Sequence, residues 1–291
     1  MGALRGIGGA RAGRRACAPA PAASRFTFLL AACAALVFLF PFGWMLSTAL
    51  KPGSLVFADP PVWLTWPPAW HNFVEAWQSA DFGRFTLNSL WVAGLTTVGT
   101  VLSSSLVGFA FATLPARGKR VWFGLLLATL MVPAWTTLIP SFLLFSRLGF
   151  TDSYVPLIVP AFGAPAIYVF LFRQAFRAMP TQLFDAAEVD GANPLLTYWY
   201  IALPMARPAA ATVAVFAFIG AWSDFLNPLI YLRSMEKFTL ALGLSFLSGP
   251  NFIRLHWQMA MSVVALLPVI MLVFLTQRHF MRDMTIWGIN P

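Results

Sequence analysis

Met179-Pro-Thr-Gln-Leu-Phe-Asp-Ala-Ala-Glu-Val-Asp-Gly-Ala-Asn-Pro-Leu-Leu-Thr-Tyr-Trp-Tyr-Ile-Ala-Leu-Pro204 is a polar insert between two apolar segments, and it holds three of the chain's ten carboxylates. Thr181 is suited to an N-cap. At helical spacing Gln182, Asp185 and Glu188 line up as a polar face, and Leu183, Ala186 and Ala187 as a small apolar one. Gly191 permits a sharp turn. Asn193 offers a second N-cap with Pro194 at the first helical position, and Leu196, Tyr200 and Leu203 repeat at helical spacing until Pro204 and Pro208 stop the helix. The insert reads as helix, tight turn, helix.

Its flanks are too apolar for a water-soluble domain. Only 10% of the 291 residues are charged and 59% are hydrophobic, so several segments must face something other than water. Six spans of membrane-crossing length are predicted, at about Phe26–Leu50, Phe85–Leu114, Val121–Leu148, Tyr154–Phe176, Ala209–Leu232 and Trp257–Leu275. The first, uninterrupted past Cys33, reads as an uncleaved anchor and not as a signal peptide. Residues 1–25 carry Arg5, Arg11, Arg14, Arg15 and Arg25 without an acid, which predicts a disordered basic tail ahead of a single membrane domain over residues 26–291. Gly99 with Ser103, and Ser104 with Gly108, place small residues four apart for close helix packing. Pro133 and Pro140 weaken the third span; ordinary packing kinks are expected there.

Asp224 is the one acid inside an apolar segment. At a helix centre it costs about 2.5–3.5 kcal/mol to insert, so it must face protein or a wet cavity. Pro228, four residues later, cannot donate to its carbonyl, which marks a weak point in the helix. A translocation role and a structural hydrogen-bonding role both fit Asp224, and Asn227 and Pro228 belong with it.

The run Asp185-Ala186-Ala187-Glu188-Val189-Asp190-Gly191, followed by Ile201-x-Leu203-Pro204, resembles the cytoplasmic coupling loop of permease subunits from ATP-binding-cassette importers. That family's signature is Glu-Ala-Ala, a Gly, and Ile-x-Leu-Pro. Asp185 stands where the family usually has Glu, and Gln182 where it often has an acid. Phe218-Ile-Gly-Ala-Trp-Ser-Asp-Phe-Leu-Asn-Pro-Leu-Ile230 is similar to the carbohydrate-importer branch, in particular the smaller six-helix permease of maltose-type systems. Weaker stretches, Thr86-Leu-Asn-Ser-Leu90, Met131-Val-Pro133 and Thr285 to Pro291, extend the resemblance over nearly the whole chain after the tail.

The resemblance implies an all-α importer membrane domain of type I, with a coupling loop at about 179–208 that docks on an ATPase. It also implies a complex with a second permease, two ATPase subunits that bind ATP and Mg, and an external substrate-binding protein. No cofactor is expected in this chain. The loop Ser248-Gly249-Pro250-Asn251 would reach toward the binding protein, its Gly-Pro pair favouring an exposed turn.

The residues themselves exclude other classes. The one Gly-Lys pair, Gly118-Lys119, is followed by Arg120 and lacks the upstream Gly of a phosphate loop. Three histidines and two cysteines, Cys17 and Cys33, match no metal or nucleophile pattern. The net charge of +9 comes from Arg beside apolar runs, without the interleaved stacking aromatics of nucleic-acid binders, and so describes a lipid-embedded chain. Six spans with both termini cytoplasmic put thirteen of the 19 Lys and Arg on the cytoplasmic side, including Arg117, Lys119, Arg120, Arg173, Arg177 and Arg207. An ion-coupled secondary transporter using Asp224 is the alternative, but no internal repeat accompanies that acid.

Overall fold

The computed structural model describes residues 25–248 and 254–286. The basic tail, the Gly249–Asn251 part of the loop and the last five residues lie outside the described residues. Helix dominates and no strand occurs among the described residues.

Helix α1 (Arg25–Ala49) is apolar all round and exposed as far as Gly43, as a lipid-facing helix must be. Its end is tied down by Asn72, whose Nδ2 donates to the carbonyls of Ala49 and Lys51 at 2.8 Å each. Asn72 opens a short helix, α2 (His71–Ser79). Helix α3 (Phe82–Thr113) starts at an Asp81 cap and runs 32 residues. It is the central post of the fold.

The third span is not one kinked helix. Helix α4 (Lys119–Ala128) ends in a single 3₁₀ turn, and α5 (Ala134–Arg147) leaves at 96° to it. Pro133, extended at ψ 136°, is the cap at which the chain turns, whereas Pro140 sits inside α5 and does not end it. Pro133 forces residue 132 away from helical backbone, so both residues of the break become extended and the direction changes. The fourth span is continuous in direction: α6 (Val155–Ile158), a 3₁₀ stretch and α7 (Ala166–Arg177).

The insert follows as α8 (Thr181–Val189), α9 (Pro194–Thr197), a π-turn at Tyr198–Ala202 and α10 (Leu203–Met205). Pro204 does not stop the helix. The wide turn, in which the Leu203 N–H reaches back to the Tyr198 carbonyl, precedes the proline ring and the helical path continues. The break comes at Ala206, just before Pro208, with a bend of 79° into α11 (Arg207–Trp222).

Helix α11 spans only about 24 Å by itself. After a break at Ser223–Phe225, α12 (Leu226–Tyr231) completes the fifth span, and the break falls where Pro228 removes a donor. The chain then passes through α13 (Leu240–Leu244) to α14 (Leu255–Ile286). Among the described residues four helices are long and apolar enough to cross a membrane, and up to six spans result if each bent pair is one, the second pair being Pro194–Met205 of the insert with α11. This is the expected multi-pass, all-α architecture.

Two buried clusters hold it together. One joins Phe82 and Phe85 to Trp222, Leu240, Leu242 and Met261; the other joins Phe109 to Phe172, Phe176, Tyr198 and Val213. The small-residue spacing on α3 allows the second. Gly108 lies against the α7 backbone, where an added Cβ would sit 3.1 Å from the Arg173 nitrogen.

Candidate functional site

The insert is docked on the body by one face and open on the other. Ala187 is buried and Phe184 half-buried, its ring 6.2 Å from Phe109 of α3. Leu183 and Ala186 are exposed, so the apolar face expected from Leu183, Ala186 and Ala187 is in fact Phe184 with Ala187. The expected cap also differs. Pro180 is the residue before α8, Thr181 is its first helical residue, and neither side chain caps the helix.

Two other local features are as the residues predict. Gly191 has φ +80°; the Ala192 N–H donates to the Ala187 carbonyl at 2.9 Å and the Gly191 N–H to the Glu188 carbonyl at 3.0 Å. This is the Schellman ending that a left-handed glycine permits. The Asn193 Oδ1 accepts the Leu196 N–H at 2.9 Å and starts α9. Asp185, Glu188 and Asp190 are all exposed, and none forms an ion pair among the described residues. Val189 beside them is 87% exposed. The outer face of α8 thus shows three carboxylates and a bare Val on a helix whose end is fixed by the Gly191 turn.

Ile201, Leu203 and Pro204 are half-buried and seat the second half of the insert. Tyr198 faces the body, whereas Leu196 and Tyr200 of the expected stripe are exposed. The Tyr198 hydroxyl and Ser105 Oγ share a buried 2.7 Å hydrogen bond, which locks the insert to the middle of α3. Periodicity missed this pair, because both residues read as unremarkable until the bond is seen.

Asp224 is not at a helix centre. It lies half-buried in the break between α11 and α12, where Oδ1 accepts the Asn227 N–H at 3.2 Å and Oδ2 accepts Asn227 Nδ2 at 2.7 Å. It starts α12 much as an N-cap does, accepting an N–H of the new helix's first turn that has no partner within the helix. Asp224 and Asn227 line a cleft of about 330 Å³ between α5, α6 and α12. Trp135, Thr137, Ser141 and Tyr231 line it too, so it combines aromatic faces with hydroxyls, an amide and a carboxylate. Pro228 is buried behind it. A larger cavity, about 610 Å³ between α1, α11, α13 and α14, has no charged side chain and is walled mainly by apolar groups such as Met45, Trp222 and Phe225. Ser223, Ser245, Ser262 and Gln258 supply its polar groups, whereas the smaller cleft also holds a carboxylate.

Above the cleft Asp152 joins two loops far apart in sequence. Its carboxylate accepts hydrogen bonds from the backbone N–H groups of Arg233 and Ser234, from Ser234 Oγ and from Lys237 Nζ. The Ser234 hydroxyl first, then the two backbone donors and Lys237, hold this carboxyl well below the usual carboxylate range. The stabilisation is thus present above that range and lost only as pH falls through the depressed value. Of the binding-protein loop, Ser248 ends a 3₁₀ turn.

A bundle of membrane helices carrying a docked, outward-facing polar helix–turn–helix defines a membrane component of a transport machine. The family described as "Binding-protein-dependent transport system inner membrane component" matches residues 104–286, and the chain belongs to it. It is 32% identical to the arabinooligosaccharides transport system permease protein AraQ of Bacillus subtilis (strain 168), over 88% of this chain and 92% of that one. It is 30% identical to the sn-glycerol-3-phosphate transport system permease protein UgpE of Yersinia pestis bv. Antiqua (strain Antiqua), over 89% and 95%. The crystal structure of a bacterial ABC transporter involved in the import of alginate superposes with a TM-score of 0.76 at 23% identity, covering 88% of this chain and 95% of that one. The chain is therefore a multi-pass inner-membrane component of a binding-protein-dependent transport system, a transport subunit and not an enzyme. This displaces the ion-coupled alternative.

Proposed function

We propose that this permease forms half of the pathway for a carbohydrate or polyol and is driven through its 179–208 insert by a separate cytoplasmic ATPase. The observation that carries the reading is the outer face of α8, where exposed, unpaired Asp185, Glu188 and Asp190 stand on a turn fixed by Gly191. In a groove of the ATPase, Asp185 pairs with a basic group, a charge-assisted contact worth about 1.5–3 kcal/mol. Its side chain is one methylene shorter than Glu, so the partner surface sits closer or water bridges the gap. Ile201, Leu203 and Pro204, with the Tyr198–Ser105 bond, carry the movement of the insert into α3.

The substrate class is supported by the polyhydroxylated cargoes in the relatives' names and by the hydroxyl-rich, Trp-lined cleft around Asp224 and Asn227. The working complex adds a second permease, two ATPase subunits that bind ATP and Mg, and an external substrate-binding protein. The Ser248–Asn251 loop faces that binding protein, a placement supported by resemblance alone. Both termini lie in the cytoplasm, a topology supported by the cation asymmetry of the sequence.

Reconstituted alone in liposomes, this chain is expected to take up neither radiolabelled arabino-oligosaccharide nor sn-glycerol 3-phosphate under a proton or sodium gradient. Robust gradient-driven uptake without any ATPase would sink the proposal. For the cleft, Asp224→Asn keeps an oxygen for the Asn227 N–H and loses the charge. Uptake by the complete complex is expected to fall about tenfold, as for one hydrogen bond to a charged group, with assembly intact. If Asp224→Asn transports normally while Asp224→Leu fails to assemble, the residue is structural and the cleft proposal is wrong.

A further inference from the structure

We infer that Asp152 is a positioning residue that holds the two walls of the Asp224 cleft at a fixed spacing by latching the loop after α5 to the loop after α12. The inference rests on the transport reading of the cleft, and its test reads cleft geometry separately from transport.

The cleft walls meet mainly through apolar contacts: α12 packs against α6 and α13, and α5 reaches α12 through Phe142 and Phe145 on Tyr231. Helix α5 begins at the break at Pro133, and α12 at the break at Ser223–Phe225. Each therefore has one end at a break and the other running into a loop. At that end the loop 148–154 meets the loop 232–239. Asp152 takes φ +55°, a left-handed conformation that Asp adopts more readily than most residues and that aims its side chain and backbone at the second loop together.

The surroundings are on the page. Oδ1 accepts the N–H groups of Arg233 and Ser234, both at 3.0 Å; Oδ2 accepts Ser234 Oγ at 2.6 Å and Lys237 Nζ at 2.9 Å. The Asp152 backbone takes part as well: its carbonyl accepts Lys237 Nζ at 2.6 Å and its N–H donates to the Tyr231 carbonyl at 2.8 Å. Six hydrogen bonds from one residue thus join segments about 80 positions apart. Tyr231 is the last residue of α12 and a cleft-lining side chain, and Phe142 and Phe145 of α5 pack on its ring at 5.8 and 6.0 Å. The latch therefore acts on the residue that joins the two walls. With it closed, Thr137 and Ser141 of α5 face Asp224 and Asn227 across a constant gap. With it lost, nothing polar among the described residues links the two helices at that end.

The test uses the complete complex in proteoliposomes, with Cys17 and Cys33 replaced by serine and Ser141→Cys placed in the cleft as a reporter for a membrane-impermeant maleimide. Asp152→Ala is expected to raise the labelling rate about tenfold, and Asp152→Asn or Ser234→Ala, which lose part of the network, about threefold. In the double variant Asp152→Cys and Ser234→Cys, whose side chains replace a direct contact, labelling is read only at position 141 by peptide mass spectrometry, with reductant removed before the maleimide is added; oxidation is expected to restore the parent rate and prior reduction by dithiothreitol to raise it again. Where Asp152→Ala fails to assemble, the Ser234→Ala and double-cysteine arms still decide. Parent-like labelling in Ser234→Ala together with no effect of reductant on the double variant would overturn the inference. Altered labelling with normal uptake would instead leave the latch standing and remove the cleft from the transport pathway.

Discussion

Gly191→Val is expected to leave the subunit in the membrane and to cut it off from ATP hydrolysis: in the complete complex, either the ATPase no longer co-purifies or hydrolysis continues with uptake reduced at least about tenfold. Gly191 sits at φ +80° with nothing within 4 Å of where a Cβ would lie, so space is not the obstacle. The obstacle is the backbone conformation. A β-branched residue resists the left-handed region by about 1–3 kcal/mol, and the chain relieves that by rotating the turn. Rotation breaks the bonds from Ala192 to Ala187 and from Gly191 to Glu188, and these set the direction of α8. Asp185, Glu188 and Asp190 then miss the ATPase groove together.

Two comparisons make the claim specific. Gly191→Asn should stay near the parent, because Asn tolerates left-handed backbone. Asp185→Asn should fall between them, since it weakens one charge-assisted contact and leaves the helix aimed. Co-purification of the ATPase and uptake are measured on the same preparations. Parent-like coupling in Gly191→Val refutes the docking role of the insert; loss of the subunit from the membrane in both glycine variants refutes it too, in favour of a folding role.

Gly108→Val is expected to act on the fold itself and to give the largest loss of assembled protein. A Cβ there would lie 2.7 Å from Phe172 Cβ, 3.1 Å from the Arg173 nitrogen and 3.2 Å from the Val169 carbonyl oxygen. Two of those atoms are backbone of α7, so α3 and α7 must separate. Overpacking of this kind costs about 1–3 kcal/mol or more. At roughly 2 °C per kcal/mol, the apparent Tm of the detergent-extracted subunit should drop by about 2–6 °C, with a matching fall in folded yield. Separation also pulls Phe109 from Phe172 and Phe176, loosening the platform on which Phe184 and Tyr198 seat the insert.

Gly99 is the informative control. Its added Cβ would also be too close to a neighbour, 2.5 Å from Phe162 Cε2, but that neighbour is the end of a side chain that is 51% exposed and can swing away. Gly99→Ala should therefore shift the unfolding temperature far less than Gly108→Ala. Equal shifts would mean that the α3–α7 approach is not what limits stability.

The sequence by itself determined the features that depend on composition or on residues within about four positions of one another. The apolar spans follow from hydrocarbon thickness, the turn at Gly191 from the one residue there that accepts positive φ cheaply, the Asn193 cap from its side chain and Pro194 next to it, and the interruption near Asp224 from the donor that Pro228 lacks. Tertiary structure decided everything that needed a distant partner. That the third span turns by 96° at Pro133 while Pro140 stays inside α5 could not be told from two prolines in one apolar run. Burial fell on Tyr198 and not on Leu196 or Tyr200, and only the Ser105 hydroxyl across the interface makes that burial tolerable. Asp224 reads as a charge stranded in a helix until the break turns it into a cap, and Asp152 reads as a loop acid until Arg233, Ser234 and Lys237 arrive from 80 residues away. A local signal fixes which backbone shapes are cheap; the pairing of polar groups across the fold selects among them, because an unpaired one in this environment costs more than any propensity supplies.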